Sequence, residues 1–261
     1  MYVSLDDVVE RTIFLAGVYE WTTVQLFRRL VLPGMTVLDV GAHVGQYTLL
    51  AGRLVGAGGR VIAFEPNPIT FEVLSRNVSA NNMPQVELAR VALGDSAGTR
   101  QLRVPRGHPA TGTLLDANPT RSVEAFATDR FDTSVQTLDR IIRASGLARL
   151  DVIKIDVEGL EAAVMIGGEA SIRHWLPAII FEANQLTESL ADLLPVKFLH
   201  SLGYRLFGYL PTKAGIDLID LASAYDAELL REQYSINLLG LHPMAPLMRS
   251  LHLEWPPTRI P

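Results

Sequence analysis

Two acidic residues, placed near the ends of two apolar runs, indicate where the chain binds a ligand. The apolar run Thr36–Val40 contains Asp39 and leads into the turn Gly41-Ala-His-Val-Gly45. A second apolar run, Arg60–Phe64, is followed by Glu65. Glycines in such a turn let the backbone approach a ligand, and an acid after the second strand can accept hydrogen bonds from both hydroxyls of a ribose. The spacing therefore predicts a βαβ unit that binds a nucleoside-containing small molecule.

The glycine turn distinguishes between two classes of nucleoside cofactor. A nicotinamide dinucleotide site typically has the pattern G-x-G-x-x-G, whereas here three residues separate Gly41 from Gly45 and His43 replaces the middle glycine. An imidazole at that position would crowd a pyrophosphate, a group that S-adenosylmethionine lacks. Asp39, two residues before Gly41, suits a cofactor that carries an ammonium group. The turn therefore favours S-adenosylmethionine and leaves a nicotinamide cofactor as the alternative.

The composition excludes several classes of function. The chain has 261 residues, of which 48% are apolar, enough for a substantial core in one large α/β domain or two small ones. Its net charge is −5 and its basic residues are scattered, so neither nucleic acid nor an acidic membrane is an expected partner. The absence of cysteine removes disulfides, thiolate nucleophiles and cysteine-ligated zinc. The N-terminus has acids where a signal peptide needs bases, and no apolar run approaches ~18 residues, so we expect a cytoplasmic protein.

Hydrophobic periodicity divides the chain into three parts. Helical spacing over residues 5–32 predicts an N-terminal helical cover, residues 1–35. Apolar strands alternate with helices over residues 36–242, which predicts an α/β domain with a mostly parallel sheet and helices on both faces. The proline-containing segment 243–261 is expected to form an irregular C-terminal tail.

An irregular stretch interrupts this alternation at residues 94–133. It follows the expected third strand, Val86–Leu93, and is rich in Gly, Pro, Ser, Thr and charged residues. Short alternating pieces at Arg100–Val104 and Ser122–Ala127 predict a β-excursion around a central loop. Because long insertions inside compact domains are commonly lids or binding loops, we expect the loop 105–122, with the C-terminal tail, to shape an acceptor site.

Five short motifs follow one another between residues 39 and 161. They are Asp39-Val-Gly-Ala-His-Val-Gly-Gln-Tyr-Thr48, Ala63-Phe-Glu-Pro-Asn67, Val91-Ala-Leu-Gly-Asp95, Gln136-Thr-Leu-Asp139 and Ile153-Lys-Ile-Asp-Val-Glu-Gly-Leu-Glu161. In this order they resemble the FkbM family of S-adenosylmethionine-dependent methyltransferases, and the resemblance extends over residues 15–210. It implies the class I methyltransferase sheet of seven strands, the last antiparallel. It also implies O-methylation of a hydroxyl, often on a secondary metabolite or a sugar.

The resemblance further implies which residues hold the cofactor. Gly41, Gly45, Glu65 and Asp95 would contact it, and Asp95 could accept a hydrogen bond from the adenine amine. Glu20 could close over the cofactor from the N-terminal helical segment. The full set of expected cofactor contacts is Glu20, Asp39, Gly41, His43, Gly45, Glu65, Pro66, Asp95 and Asp156.

Asp156 and His43 are the preferred two of four candidates for a catalytic base, which a protonated hydroxyl acceptor would use. Asp156 follows the buried run Val152–Ile155 and could instead hold the ammonium group of the cofactor, ligate a metal or cap the next helix. His43 stands in the glycine turn, where asparagine is frequent in the FkbM family. Glu158 and His108 are further candidates for the base.

Ligands of open α/β sheets bind at the carboxyl ends of the strands. Five acids are expected to meet there: Asp39, Glu65, Asp95, Asp156 and Glu182. A magnesium ion needs hard oxygen ligands, which Asp156, Glu182 and Asn184 could supply. We favour a protein base, or alignment of the acceptor alone, over this metal.

The sequence thus predicts an S-adenosylmethionine-dependent O-methyltransferase whose acceptor is a hydroxyl of a small molecule. One alternative is a nicotinamide-dependent Rossmann oxidoreductase, which would share the role of Glu65 but lacks the expected glycine pattern. Another is a protein that binds S-adenosylmethionine without turnover. The sequence leaves open the identity of the acceptor and the oligomeric state, a homodimer included.

Overall fold

The chain forms two β-sheets flanked by helices in a computed structural model that describes residues 1–106, 112–114, 127–184, 190–221 and 235–260. Its described helices are α1 (Val8–Ala16), α2 (Trp21–Leu30), α3 (Gln46–Val55), α4 (Pro68–Ala80), α5 (Leu138–Ser145), α6 (Glu161–Ile166), α7 (Glu169–Trp175), α8 (Leu194–Ser201) and α9 (Pro246–Ser250). Its described strands are β1 (Thr36–Val40), β2 (Arg60–Phe64), β3 (Val86–Ala89), β4 (Ala92–Leu93), β5 (Gly98–Pro105), β6 (Thr128–Gln136), β7 (Val152–Ile155), β8 (Ala178–Asn184), β9 (Arg205–Thr212), β10 (Gly215–Asp220), β11 (Ser235–Leu241) and β12 (Arg259–Ile260).

The main sheet has nine strands in the order β3-β2-β1-β7-β8-β11-β9-β10-β12. Strands β3, β2, β1, β7 and β8 are parallel, whereas β11 is antiparallel to both of its neighbours. Strands β1 and β7 lie in the interior of the sheet, and their side chains are buried on both of its faces. The sheet confirms the predicted α/β class, but it has two strands more than the seven that were expected.

The two additional strands correct the prediction for the C-terminal part of the chain. Strand β9 turns back into β10, whose alternate residues Ile216 and Leu218 are buried. Strand β12 then pairs with β10 and buries Ile260 in the core. The prediction of an irregular tail over residues 243–261 was therefore wrong, since this segment contains both α9 and β12. A strand of two residues is too short to show a hydrophobic period in the sequence.

The stretch that interrupts the alternation contributes most of a second, three-stranded sheet, in the order β4-β6-β5. Its two long strands, β5 and β6, form the hairpin, and β6 begins at Thr128. Of the predicted piece Ser122–Ala127, residues 122–126 lie outside the described residues, so that piece stays a prediction. The expected third strand is also split, with β3 in the main sheet and β4 in the small one. This split directs the chain after Leu93 away from the edge of the main sheet.

Each face of the main sheet buries its own hydrophobic core, because side chains along a strand alternate between faces. In β1, Val37 packs in the core shared with α2 and α3, whereas Leu38 packs in the core shared with α5 to α8. Asp39 and Lys154, which are register partners on β1 and β7, are buried on the α2 and α3 face. Among the described helices, none has both the length and the apolarity needed to cross a bilayer.

Candidate active site

A cleft of about 630 Å³ lies at the carboxyl ends of β1, β2 and β7. Its lining contains five of the nine expected cofactor contacts, namely Gly41, His43, Glu65, Pro66 and Asp156. Apolar side chains from both sheets complete the walls: Val40, Phe64, Val91, Leu93, Leu102, Leu114, Val157 and Leu160. The excursion that was expected to form a binding loop therefore contributes residues to the wall of this cleft.

The glycines of the turn are required by neighbouring protein atoms. Gly41 has a φ of +83°, and a Cβ at this position would lie 1.8 Å from the backbone carbonyl oxygen of Asp156. Gly45 has a φ of +98°, and a Cβ there would lie 2.7 Å from a methyl carbon of Leu74. The amide of Gly41 also donates to the carbonyl of Phe64, at 3.0 Å. The turn thus holds the ends of β1, β2 and β7 close together and forms the floor of the cleft.

Glu65 presents a buried carboxylate to the cleft. Its Oε2 accepts from the backbone amide of His43 and its Oε1 from that of Asn67, both at 2.9 Å. Burial raises the pKa of Glu65 to about 7, although the two amides oppose that shift. A carboxylate has about four lone-pair positions, so Glu65 can accept further hydrogen bonds. It therefore has the position and the acceptor capacity expected of a ribose contact.

Asn67 adds a donor beside Glu65, and sequence reasoning had overlooked it. Its Oδ1 accepts from the amide of Ile69 and caps α4. Its Nδ2 atom is buried and has no hydrogen-bond partner among the described residues. An unsatisfied buried donor is costly, and a ligand oxygen in the cleft would satisfy it. The sequence signal was the N-cap position before Pro68, which indicated a helix start and not a ligand contact.

Asp39 lies beneath the cleft and outside its described lining. Its Oδ2 accepts a hydrogen bond from the hydroxyl of Thr48. Burial raises the pKa of Asp39 to about 6, and the hydroxyl of Thr48 and the charge of Lys154 partly offset that shift. The structure therefore places Asp39 where it supports the glycine turn from behind.

Lys154 is a fully buried cation directly beside the cleft. Its Nζ lies 3.2 Å from Oδ2 of Asp156 and 3.4 Å from Oδ1 of Asn237, and 5.3 Å from the centre of the Tyr47 ring. Burial acts to lower the pKa of Lys154, but the charges of Asp156 and Glu20 outweigh it and the pKa is raised. The sequence signal for this residue was a lysine inside the otherwise apolar strand Val152–Ile155. No role was predicted for it from the sequence.

Glu20 joins the same group of side chains from the start of α2. Its carboxylate accepts from the hydroxyl of Tyr47 at 2.8 Å and from the side-chain amide of Asn237 at 2.7 Å. We call Glu20, Tyr47, Lys154, Asp156 and Asn237 the Lys154 network. Within the described residues, only Asp156 of this network lines the cleft. The structure thus places Glu20 beside Lys154 and outside the described lining of the cleft, and its expected contact with the cofactor stays a prediction.

His43 lines the cleft but directs its ring nitrogen elsewhere. Its backbone has a φ of +50°, and its Nε2 lies 3.8 Å from Oε1 of Glu10 on helix α1. This nitrogen is buried and has no hydrogen-bond partner among the described residues. In this conformation the backbone amide of His43 serves the site through Glu65, while the imidazole faces α1.

Several other expected site residues lie apart from the cleft. Asp95 has an exposed side chain that accepts from the hydroxyl of Ser96 at 2.9 Å and lies 3.7 Å from Arg100. It is displaced because the chain after β4 belongs to the small sheet. Glu182 lies within β8, whose last residue is Asn184, and not at the end of that strand. The five acids therefore do not all converge, and only Glu65 and Asp156 reach the described lining.

Two residues that were predicted for the site lie, entirely or by their side chain, outside the part of the chain that the structure describes. The candidate base His108 lies outside the described residues, and so does the side chain of Asn184. The expected magnesium site at Asp156, Glu182 and Asn184 therefore stays a prediction.

Comparisons with known proteins identify relatives of the chain. The family model "Methyltransferase FkbM domain" matches residues 39–206. Methyltransferase sdnD of Sordaria araneosa is 30% identical over 162 residues, which cover 53% of this chain and 61% of that protein. The 31-O-demethyl-FK506 methyltransferase FkbM of Streptomyces tacrolimicus is 26% identical over 184 residues, which cover 62% of this chain and 70% of that protein.

A solved structure is also similar to this chain. The crystal structure of methyltransferase FkbM from Methylobacillus flagellatus KT has a TM-score of 0.47 and 17% identity, and the match covers 79% of this chain and 43% of that chain. The chain thus spans less than two thirds of the Sordaria and Methylobacillus proteins. Since the family model matches more than half of the sequence, the chain belongs to the FkbM methyltransferase family.

Proposed function

We propose that the chain transfers the methyl group of S-adenosylmethionine to a hydroxyl of a small molecule. The observation that carries the proposal is the cleft, which is lined by both Glu65 and Asn67; Nδ2 of Asn67 is buried and has no hydrogen-bond partner within the described part of the chain. A pair of ribose hydroxyls needs both acceptors and donors, and these two side chains supply both. Membership of a methyltransferase family supports the same cofactor and gives no support to the nicotinamide alternative.

In this proposal the turn, Glu65 and Asn67 hold the nucleoside part of the cofactor. The apolar side chains of the cleft walls would pack against the adenine ring, because an aromatic base is more stable against apolar surfaces than in water. Pro66 adds to that surface, and the turn between Gly41 and Gly45 lets the ligand lie against bare backbone. Asp39 and Glu20 support the cleft from behind it. Asp95 stays a predicted contact to the adenine amine.

Asp156 is the proposed acceptor of the proton from the substrate hydroxyl. S-adenosylmethionine supplies a methyl group that is already activated, so the protein must chiefly align the acceptor oxygen and exclude water. Lys154 holds Oδ2 of Asp156 at 3.2 Å, which leaves the other carboxylate oxygen without a bond to Lys154. Asp156 would take the hydroxyl proton there as the new carbon–oxygen bond forms, and general bases of this kind typically contribute about 10²–10⁴-fold. Lys154 is then a positioning residue.

The acceptor class follows from the relatives and from the walls of the cleft. The Streptomyces relative is named as the methyltransferase of 31-O-demethyl-FK506, a name that describes methylation at an oxygen. The walls of the cleft are largely apolar, including Leu102 and Leu114 from the excursion. An acceptor with an apolar body and one accessible hydroxyl would fit such walls better than a highly charged molecule. We therefore propose a hydroxylated secondary metabolite or a sugar attached to an apolar carrier.

The test is transfer of an isotope-labelled methyl group from S-adenosylmethionine to a panel of matched acceptors. Each hydroxyl compound is paired with the amine analogue of the same skeleton. We expect label in at least one hydroxyl product and little in its amine analogue, and we expect Asp156→Asn to lower the rate by about 100-fold or more. Label that appears only in amine products, or a rate unchanged in Asp156→Asn, would contradict the proposal. Binding of the cofactor without label in any product would favour a protein without turnover.

A further inference from the structure

Three side chains that the proposed reaction does not use converge beneath the glycine turn. They are Asp7, Glu10 and His43, and one ligand atom from each lies within 4.8 Å of the others. Asp7 is 3% exposed and Glu10 is 4% exposed, so both carboxylates are removed from water. Two buried acids this close together repel each other unless a positive charge compensates them. The cluster therefore needs either protons or a cation.

The imidazole of His43 brings a third ligand atom to the two carboxylates. Its Nε2 is buried, faces Oε1 of Glu10 at 3.8 Å and has no hydrogen-bond partner among the described residues. That distance is longer than a hydrogen bond, so the nitrogen is unsatisfied in this arrangement. An imidazole nitrogen of this kind can offer its lone pair to a metal ion.

The two carboxylates are already oriented by backbone amides. Asp7 accepts from the amide of Glu10 at 3.0 Å, and Glu10 accepts from the amide of Ser4 at 2.5 Å through its Oε2. Each of these bonds uses one oxygen, so each carboxylate has a second oxygen for a ligand bond. Hydrogen bonds of this kind fix the direction of metal ligands in many proteins.

We propose that Asp7, Glu10 and His43 bind a divalent transition-metal ion, with zinc as the probe. One imidazole nitrogen and two carboxylate oxygens match the donors that zinc accepts, whereas magnesium and calcium are bound almost entirely by oxygen. Ligand atoms around tetrahedral zinc lie about 3.3 Å apart, so ligand atoms that are now within 4.8 Å of one another need to approach by up to about 1.5 Å. Three protein ligands leave one coordination position for water.

The ion would join two parts of the chain that are distant in sequence. Asp7 and Glu10 lie at the start of α1, whereas His43 belongs to the turn whose amide binds Glu65 in the cleft. A metal ion would therefore fasten α1 against the floor of the cleft. Asp7 and Glu10 are outside the described lining of the cleft, so zinc binding can be measured without the cofactor.

The experiment measures zinc binding to the full chain, free of any affinity tag, after treatment with a chelator. Calorimetry and elemental analysis after dialysis should give one ion per chain. Cobalt in place of zinc should give a visible absorption band typical of a site with a nitrogen ligand, and zinc should raise the melting temperature. Glu10→Gln and His43→Asn should each weaken zinc binding by about tenfold or more, since even residues that only support metal ligands commonly contribute that much.

The test variant His43→Asn should disturb the cleft little. It keeps the backbone amide that binds Glu65, and asparagine tolerates a positive φ. Two further variants serve as controls for adventitious binding. His174→Asn and Glu72→Gln alter exposed residues of the same types and should leave zinc affinity unchanged. If His43→Asn fails to fold by circular dichroism, Glu10→Gln decides alone. No bound zinc at micromolar concentration, or equal weakening by the control variants, would overturn the proposal.

Discussion

The ammonium of Lys154 lies 3.2 Å from Oδ2 of Asp156, which joins a fully buried cation to an acid that lines the cleft. Asn237 and the ring of Tyr47 surround the same ammonium group. A buried charge persists only when it is compensated, so the ion pair and its neighbours depend on one another. The position of the proposed proton acceptor is thus set by a residue that does not line the cleft itself.

Replacing Lys154 with Met should destabilise the chain, because it leaves Asp156 and Glu20 without their shared positive charge. Removal of one partner of a buried pair costs about 3 kcal/mol or more. Urea unfolding measures this loss. The turnover rate should fall by a larger factor than the affinity for S-adenosylhomocysteine, because Lys154 contacts the proposed base Asp156 and lies outside the described lining of the cleft.

The double variant Lys154→Met with Asp156→Asn provides the control for this prediction. It removes both partners, so it should recover about 1 kcal/mol or more of the stability lost in Lys154→Met. If the two substitutions are additive, Lys154 and Asp156 are not coupled, and the proposed positioning role is wrong.

Gly41→Ala should be far more damaging than Gly34→Ala, although the two glycines have nearly the same φ, +83° and +81°. A Cβ at Gly34 meets nothing within 4 Å, so only backbone strain of about 1 kcal/mol is expected. A Cβ at Gly41 would lie 1.8 Å from the carbonyl oxygen of Asp156, and backbone cannot move aside cheaply. We expect a loss of roughly 3 kcal/mol or more by urea unfolding. Equal losses in the two variants would show that β1 and β7 are not held this closely.

Asp39 should make the stability of the chain depend on pH. Burial raises its pKa from 3.8 to about 6, so the folded chain binds this proton more tightly than the unfolded chain does. The stabilisation is complete below pH 3.8 and is lost as the pH rises through about 6.

The side chain of the Asp39→Asn variant cannot ionise. The free energy of unfolding of this variant should therefore rise relative to that of the natural chain as the pH rises. The difference should grow by about 2–3 kcal/mol from pH 4 to pH 7 and then become constant. Urea unfolding at pH 4, 5, 6 and 7 measures it. A stability difference that does not change with pH would show that folding does not raise the pKa of Asp39.

Much of the cleft could be predicted from the sequence, because its position follows from local patterns. The strands β1 and β7 are mainly apolar runs, each interrupted by one charged residue, and Gly41 and Glu65 follow from their spacing in the βαβ unit. Strand β10 was missed although Ile216 and Leu218 alternate, since the pattern is only six residues long. Contacts between distant parts of the chain leave no such local signal.

The Lys154 network shows why the rest of the site was out of reach. Glu20, Lys154 and Asn237 come from α2, β7 and β11, and only the folded sheet brings them together. For the same reason nothing in the sequence indicated that Glu20 lies beside Lys154. The pairing of His43 with Glu10 is likewise a contact between a turn and a helix more than 30 residues earlier.

The most direct test of the central claim is calorimetric titration of the chain with S-adenosylhomocysteine. We expect saturable binding, and we expect Glu65→Ala to weaken it by about 1.5–3 kcal/mol, roughly 10- to 150-fold, because charge-assisted hydrogen bonds to the ribose are lost. Glu72→Ala, at an exposed acid on α4, should bind as the natural chain does. No heat of binding at millimolar ligand, or equal affinity in a folded Glu65→Ala variant, would contradict the assignment of this cleft.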